Sequence, residues 1–214
     1  MCFSAKSSII AFFVGVIGSI LCISLGEIND KIVGYFFLFV AFMQGIEYLL
    51  WNHRKCDMYN RIISVLGMIL NHLQPIVLGI IILLINPYLT PAKVFWIKIF
   101  IFIYICVIIP YSFKYISNKD IQCTIKRGKH LYWKWTNMKY YIFIYSLFLF
   151  TFCLFAILGM KNLIYGISFA FIGLFSYITS YIFYSKSTGA LWCYYAVFIP
   201  IIYYFLRRLK IIHI

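Results

Sequence analysis

Apolar runs of about 20 residues, the length a bilayer's hydrocarbon core demands of a helix, recur along this 214-residue chain. Seven of them can be drawn, over 8–25, 32–51, 62–85, 94–113, 140–160, 163–184 and 190–206. In lipid, a run with so little charge satisfies its backbone groups only as a helix. The chain therefore reads as all-α: an integral, multi-pass membrane bundle of about seven transmembrane helices, forming a single transmembrane domain over 1–214. Composition excludes the soluble alternative. Hydrophobic residues make up 64% and charged residues only 11%, where an ordinary globular domain carries about 25% charged. The 19 tyrosines suit a membrane boundary, where one end of the ring is wet and the other apolar. The first run follows Lys6 and could pass for a signal peptide, but no small-x-small cleavage site follows it, so it is read as a retained helix.

The connectors are short. Residues 26–30 read as one turn, 86–91 with two prolines as another, and 159–162 as a tight helical hairpin. The exception is a basic, Trp-rich loop over 114–139, between the fourth and fifth helices. It holds Lys114, Lys119, Lys126, Arg127, Lys129, Lys134 and Lys139 against the single acid Asp120. The second connector holds Arg54, Lys55 and Arg61 against Asp57. A net charge of +14 distributed between apolar runs points to the bilayer and its anionic headgroups as partners, not to nucleic acid. The positive-inside rule places the 114–139 loop and the N-terminus in the cytosol. An odd helix count then puts Arg207, Arg208 and Lys210 outside, where the same rule disfavours them. The sequence is silent on oligomeric state.

Polar residues inside apolar runs are the candidates for chemistry. Gln44, Glu47 and Trp51 recur at i, i+3 and i+7 and share one helix face. Glu47 reads as a proton acceptor or metal ligand, or else as an interfacial carboxylate with its head in water. The third run carries Asn71, His72, Gln74 and Pro75. His72 lies about 15 Å along its helix, near mid-membrane. Pro75 deprives the Asn71 carbonyl of its donor. Asn71, His72 and Gln74 read as a polar pocket, or as hydrogen-bonding glue between helices. His72 joins Glu47 as a candidate catalytic group. The loop's Trp133 and Trp135 suit a re-entrant or surface-lying segment, or a solvated loop with aromatic anchors; Cys123 and His130 within it are candidate ligands. Ser176, Thr179 and Ser180 are read as packing residues.

Cysteines stand at 2, 22, 56, 106, 123, 153 and 193, with no CxxC pair, and their odd number argues against a disulfide framework. If the initiator methionine is removed, Cys2 places a thiol beside a free amine, a pair able to chelate a metal or attack as a nucleophile; a plain or palmitoylated tail is the other reading. Cys2, His72, His130 and Cys193 are the candidate metal ligands, and a mixed nitrogen, oxygen and sulfur set suits zinc. No HExxH, HxxxH or DxxD spacing accompanies them. With seven spans, parity brings Cys2, Glu47, Cys123, His130, Trp192 and Cys193 to one membrane face.

The chain also resembles a family of polytopic membrane proteins whose members open with MCWSA or MCFSA, through Met1-Cys2-Phe3-Ser4-Ala5. Met43-Gln44-Gly45-Ile46-Glu47 resembles the family's MExLQ or HQxxE. Leu70-Asn71-His72-Leu73-Gln74-Pro75 resembles its LHIxFQP, with a shorter His-to-Gln spacing. Gly128-Lys129-His130-Leu131-Tyr132-Trp133 resembles GxWHIxW, with Lys129 where the family has Trp, and Trp192-Cys193-Tyr194 resembles a WCF motif. The resemblance implies the same membrane fold and the same candidate positions, and no reaction.

Three functions remain open from sequence. The first is a non-catalytic membrane scaffold or membrane-shaping protein. The second is a membrane-embedded, metal-dependent enzyme acting on lipid. Glu47 would then be base or ligand, His72 and His130 ligands or acid, and Cys2 or Cys193 a thiolate. The third is a proton-coupled transporter or channel in which Glu47 and His72 titrate along a polar path.

Overall fold

The computed structural model describes residues 4–128, 130–184 and 188–209. Seven stretches are long and apolar enough to cross a membrane. The helices are α1 (Ala5–Leu25), α2 (Ile28–Asn52), α3 (Met58–Ile85), α4 (Pro91–Ile116), α5 (Tyr141–Gly159), α6 (Leu163–Tyr184), α7 (Thr188–Ala196) and α8 (Ile199–Arg208). The last two together make the seventh span, Thr188–Arg208. Between α4 and α5 lie two short strands, β1 (Thr124–Arg127) and β2 (His130–Trp133), and a 3-10 turn at Lys134–Asn137.

Local chemistry sets the helix ends. The Ser4 hydroxyl accepts from the Ser7 amide at 3.1 Å while the Ser7 hydroxyl accepts from the Ser4 amide, a reciprocal cap on α1. Gly26, with φ 91°, closes α1 in the left-handed region. Asp57 caps α3 by accepting from the Asn60 amide at 3.1 Å. Thr90 caps α4, with Pro91 in its first turn, where a missing N–H costs nothing.

The helices pack through small residues. The buried face of α1 is Ser8, Ala11, Gly15, Gly18, Ser19 and Cys22, the pattern that lets membrane helices approach closely. Across from it, a Cβ added to Gly34 of α2 would lie 2.7 Å from the Ser19 carbonyl oxygen. Outward faces are apolar instead: Phe102 and Phe113 of α4 and Phe171 and Phe175 of α6 are all more than half exposed. That is the expected surface of helices whose solvent is lipid.

Three departures from the sequence reading matter for the site. First, α2 begins at Ile28, so Asn29 and Asp30, read as turn residues, lie in the helix and are 1% and 0% exposed. Arg207 makes this tolerable: its Nε lies 3.2 Å from Asp30 Oδ1, and the Tyr203 hydroxyl donates to the same oxygen at 2.6 Å. The carboxylate thereby neutralises one of the C-terminal charges that parity left out of place. Second, the seventh span is interrupted at residues 197–198, just before Pro200. Pro200 supplies no backbone donor, and α8 starts afresh with the proline in its first turn. Third, the 114–139 loop is not a solvated linker. Its β1–β2 hairpin is antiparallel, with Thr124 opposite Trp133 and Arg127 opposite His130. Leu131, Tyr132, Trp133 and Trp135 are buried.

Candidate functional site

Hydrogen bonds carry the loop down into the bundle. The Trp135 indole Nε1 donates to the Tyr145 hydroxyl at 3.1 Å. Tyr145, on α5, donates to Asn71 Oδ1 at 3.1 Å. The Asn71 amide faces Cys193 Sγ at 3.9 Å, and the Gln74 amide faces the same sulfur at 3.8 Å. These are long contacts to a weak acceptor, but two amide groups converge on one thiol. α2, which carries the buried Glu47, packs against α7 as well. The loop, α5, α3, α7 and α2 therefore meet at a single polar centre.

Helix geometry explains which residues reach it. Asn71 and Gln74, three apart, project on one face of α3, whereas His72 points about 100° away. The His72 ring turns toward α4 instead, with Nδ1 3.0 Å from the Ser112 hydroxyl and the ring 5.7 Å from that of Tyr111. The His72 carbonyl also faces α4, accepting from the Tyr104 hydroxyl at 3.1 Å. The expected pocket of Asn71, His72 and Gln74 is therefore two environments on adjacent faces.

The centre is closed from the loop side by aromatic rings. Trp133 and Trp135 stack with centroids 4.6 Å apart, and the edge of Trp135 meets Tyr115 at 5.8 Å. The Tyr111 hydroxyl donates to the Trp135 carbonyl at 3.0 Å. Gly189, at the start of α7, lies directly under this plug: a Cβ there would stand 3.0 Å from the Trp133 ring. Trp192 anchors α7 on its other side, donating from Nε1 to the Gly173 carbonyl at 3.2 Å. Gln44, Glu47, Asn71, His72, Gln74 and Cys193 are all at most 3% exposed. Glu47 is thus no interfacial carboxylate with its head in water; it is fully buried.

Several buried polar atoms here have no hydrogen-bond partner among the described residues: both amide atoms of Gln44, His72 Nε2 and Gln74 Oε1. Native proteins leave few such groups, and each is a place for a water, an ion or a ligand. Among the described residues, no three of His, Cys, Asp and Glu come together as metal ligands. Cys193 and Glu47 offer two donors, His72 is turned to Ser112, and His130 sits half-buried on the hairpin opposite Arg127. Cys2, the remaining candidate ligand, lies outside the described residues.

Cys123 is corrected outright. It is not a free ligand but half of a disulfide with Cys56, which joins the second connector to the loop. Beside it, the Thr124 amide donates to Asn60 Oδ1 at 3.0 Å and the Asn60 amide returns a bond to the Thr124 carbonyl at 3.1 Å. The hairpin is thus fastened covalently and by buried hydrogen bonds. Asp57, next to this tie, lies 2.6 Å from His53 Nε2. Its hydrogen bond from His53, together with that from the Asn60 amide, holds its carboxyl below the ordinary value of 3.8.

Sequence reasoning missed Tyr145 and the Asn60–Thr124 clasp. Tyr145 carries no local signal among so many tyrosines, whereas Trp133 and Trp135 were visible but were assigned to the interface. Comparison with family models, with curated proteins and with solved structures finds no match for this chain.

Proposed function

We propose that the protein is a non-catalytic membrane scaffold whose polar centre locks one arrangement of its helices. The observation that carries this reading is closure. Gln44, Glu47, Asn71, His72, Gln74 and Cys193 are at most 3% exposed, and the side chains of Trp135, Tyr145, Asn71 and Cys193 are bonded in sequence beneath stacked tryptophans. Buried polar contacts between membrane helices contribute about 0.6–2 kcal/mol each. They also restrict register and partner choice, because any slip leaves amides unpaired in a low-dielectric interior.

A second reading, a membrane-embedded enzyme, is favoured by one specific feature. Two side-chain amides gather on the Cys193 thiol while neighbouring amide atoms lack partners among the described residues. Reconstitution of the full chain in liposomes separates the readings. The scaffold reading expects no stoichiometric transition metal and no pH-dependent ion flux, with Cys193→Ala unreactive and folded. Stoichiometric metal lost on Glu47→Gln or Cys193→Ala supports the enzyme instead. Proton flux abolished by Glu47→Gln supports the transporter.

For orientation, the basic 114–139 loop supports a cytosolic loop face and N-terminus, and the pairing of Arg207 with Asp30 removes one of the charges opposing it. On that face the Cys56–Cys123 disulfide would stand in the reducing cytosol, where such bonds are rare, so the bond itself opposes this orientation.

A further inference from the structure

At the end of the bundle opposite the loop, the interrupted seventh span creates a space. α7 packs against α6, whereas α8 leaves the break and packs against α1 and α2. The Cys22 thiol donates to the Pro200 carbonyl at 3.0 Å, pinning the start of α8 to α1. The result is a wedge between α6 and α8, filled on its inner side by α2. It encloses a cavity of about 510 Å³, within the range of about 300–1,000 Å³ that holds small-molecule ligands.

Its walls include Val33, Phe169, Ile172, Ile202 and Leu206, with the hydroxyl-bearing Ser168 and Tyr203 among them, and Asn29 and Asn162 lie at its boundary end. Ile172 and Ile202, on opposing walls, are 45% and 55% exposed, so the cavity opens sideways at a surface that faces lipid. From Leu163, the first residue of α6, to Ile172 is about 14 Å at 1.5 Å per residue, which is about half of a 30 Å hydrocarbon core. The cavity therefore runs from the membrane boundary to mid-bilayer, the depth of one leaflet. Asn29 is 1% exposed; its Oδ1 accepts from the Lys161 amide at 2.9 Å, and its Nδ2 has no partner among the described residues. An amide donor buried in this position lacks an acceptor that neither the apolar walls nor an alkane chain supplies.

We propose that the α2/α6/α8 cavity holds a bilayer glycerophospholipid, with one acyl chain along α6 and an ester carbonyl oxygen accepting from Asn29 Nδ2. The lateral opening matches entry from the leaflet. The leaflet-length apolar wall matches the chain, and the unpartnered Asn29 donor at the boundary end matches the acceptor where chain meets glycerol.

The test is native mass spectrometry of the full chain taken from phosphatidylcholine vesicles doped with oleic acid. Four proteins are compared: the unaltered chain, Ser168→Trp, which fills the mouth from an exposed position on α6, Asn29→Ala, and Phe102→Trp on the lipid face of α4 as control. The unaltered chain and the control retain one phospholipid. Ser168→Trp retains none, and Asn29→Ala holds it about tenfold more weakly, the loss of roughly one hydrogen bond. Thermal unfolding in micelles checks that Ser168→Trp folds, and Asn29→Ala decides the matter if it does not. Equal retention by the unaltered chain and Asn29→Ala, or an adduct of fatty-acid mass, overturns the assignment.

Discussion

Removing Arg207 should destabilise the protein far more than neutralising its partner. Asp30 is fully buried, whereas the Arg207 side chain is 17% exposed. Arg207→Ala strips a buried carboxylate of both guanidinium bonds and leaves it, among the described residues, the Tyr203 hydroxyl. Breaking a buried pair from one side in this way costs about 3–5 kcal/mol. Asp30→Asn leaves a neutral side chain that still accepts from Tyr203. It also deprives the guanidinium of this carboxylate in the last turn of α8, where the helix dipole favours a cation and the long stem can reach the boundary. That change should cost about 1–2 kcal/mol, the scale of one weakened hydrogen bond. In Arg207→Ala with Asp30→Asn, the stranded charge is gone, so the double variant should be more stable than Arg207→Ala alone. Denaturant titration of the full chain in micelles, followed by tryptophan fluorescence, measures all three. Equal and additive losses for the two single variants would refute the argument, because they would show that Asp30 does not depend on Arg207 for its burial.

The loop plug gives a second prediction: Trp135→Ala should cost about 3–5 kcal/mol as a large-to-small change at a fully buried site. Trp135→Phe, which keeps most of the ring but removes the donor to Tyr145, should cost about 1–2 kcal/mol; a loss below about 0.5 kcal/mol for the alanine variant would mean that the ring is not seated. Asp57 supplies a pH dependence. Its folded value lies below 3.8, so its contribution is present above that value and is lost as pH falls through the lowered one. Protection of the amides at the start of α3 against exchange, relative to their intrinsic rates, should therefore fall as pH drops below 3.8, and Asp57→Asn should abolish that step; an unchanged protection profile in the variant removes Asp57 as its cause. The disulfide tests orientation. With the loop face cytosolic, maleimide labelling in intact cells should modify Cys56 before any reductant is added. Labelling of Cys56 that appears only after reduction would place that face in an oxidising compartment and reverse the orientation.

How much of this was legible in sequence follows from what hydropathy can report. Helices were legible because lipid forces every backbone group to bond internally, so a long apolar run has one solution. Inside and outside were not, because a ring facing lipid and a ring facing another helix are equally apolar. Trp133 and Trp135 illustrate this: their composition fits the boundary and the buried plug alike. Polarity breaks the tie. Gln44 with Glu47 and Asn71 with Gln74 each repeat at i, i+3, and all four are buried, because no amide or carboxylate is stable against hydrocarbon. Ser176 and Ser180 kept the packing role read for them, donating to carbonyls of their own helix at 2.9 and 2.8 Å. Pairings across long separations stayed hidden. Asp30 and Arg207 are 177 residues apart and Cys56 and Cys123 are 67 apart, and nothing local marks either pair. Yet the ion pair has a signature in retrospect. Arg207 looked misplaced when charges were counted by membrane face, and a charge that breaks the orientation rule in so apolar a chain implies a buried counter-charge at the same depth. With α8 ending at the face where α2 begins, Asp30 and Glu27 were the acids within reach, and only Asp30 lies inside the helix where a partner is required.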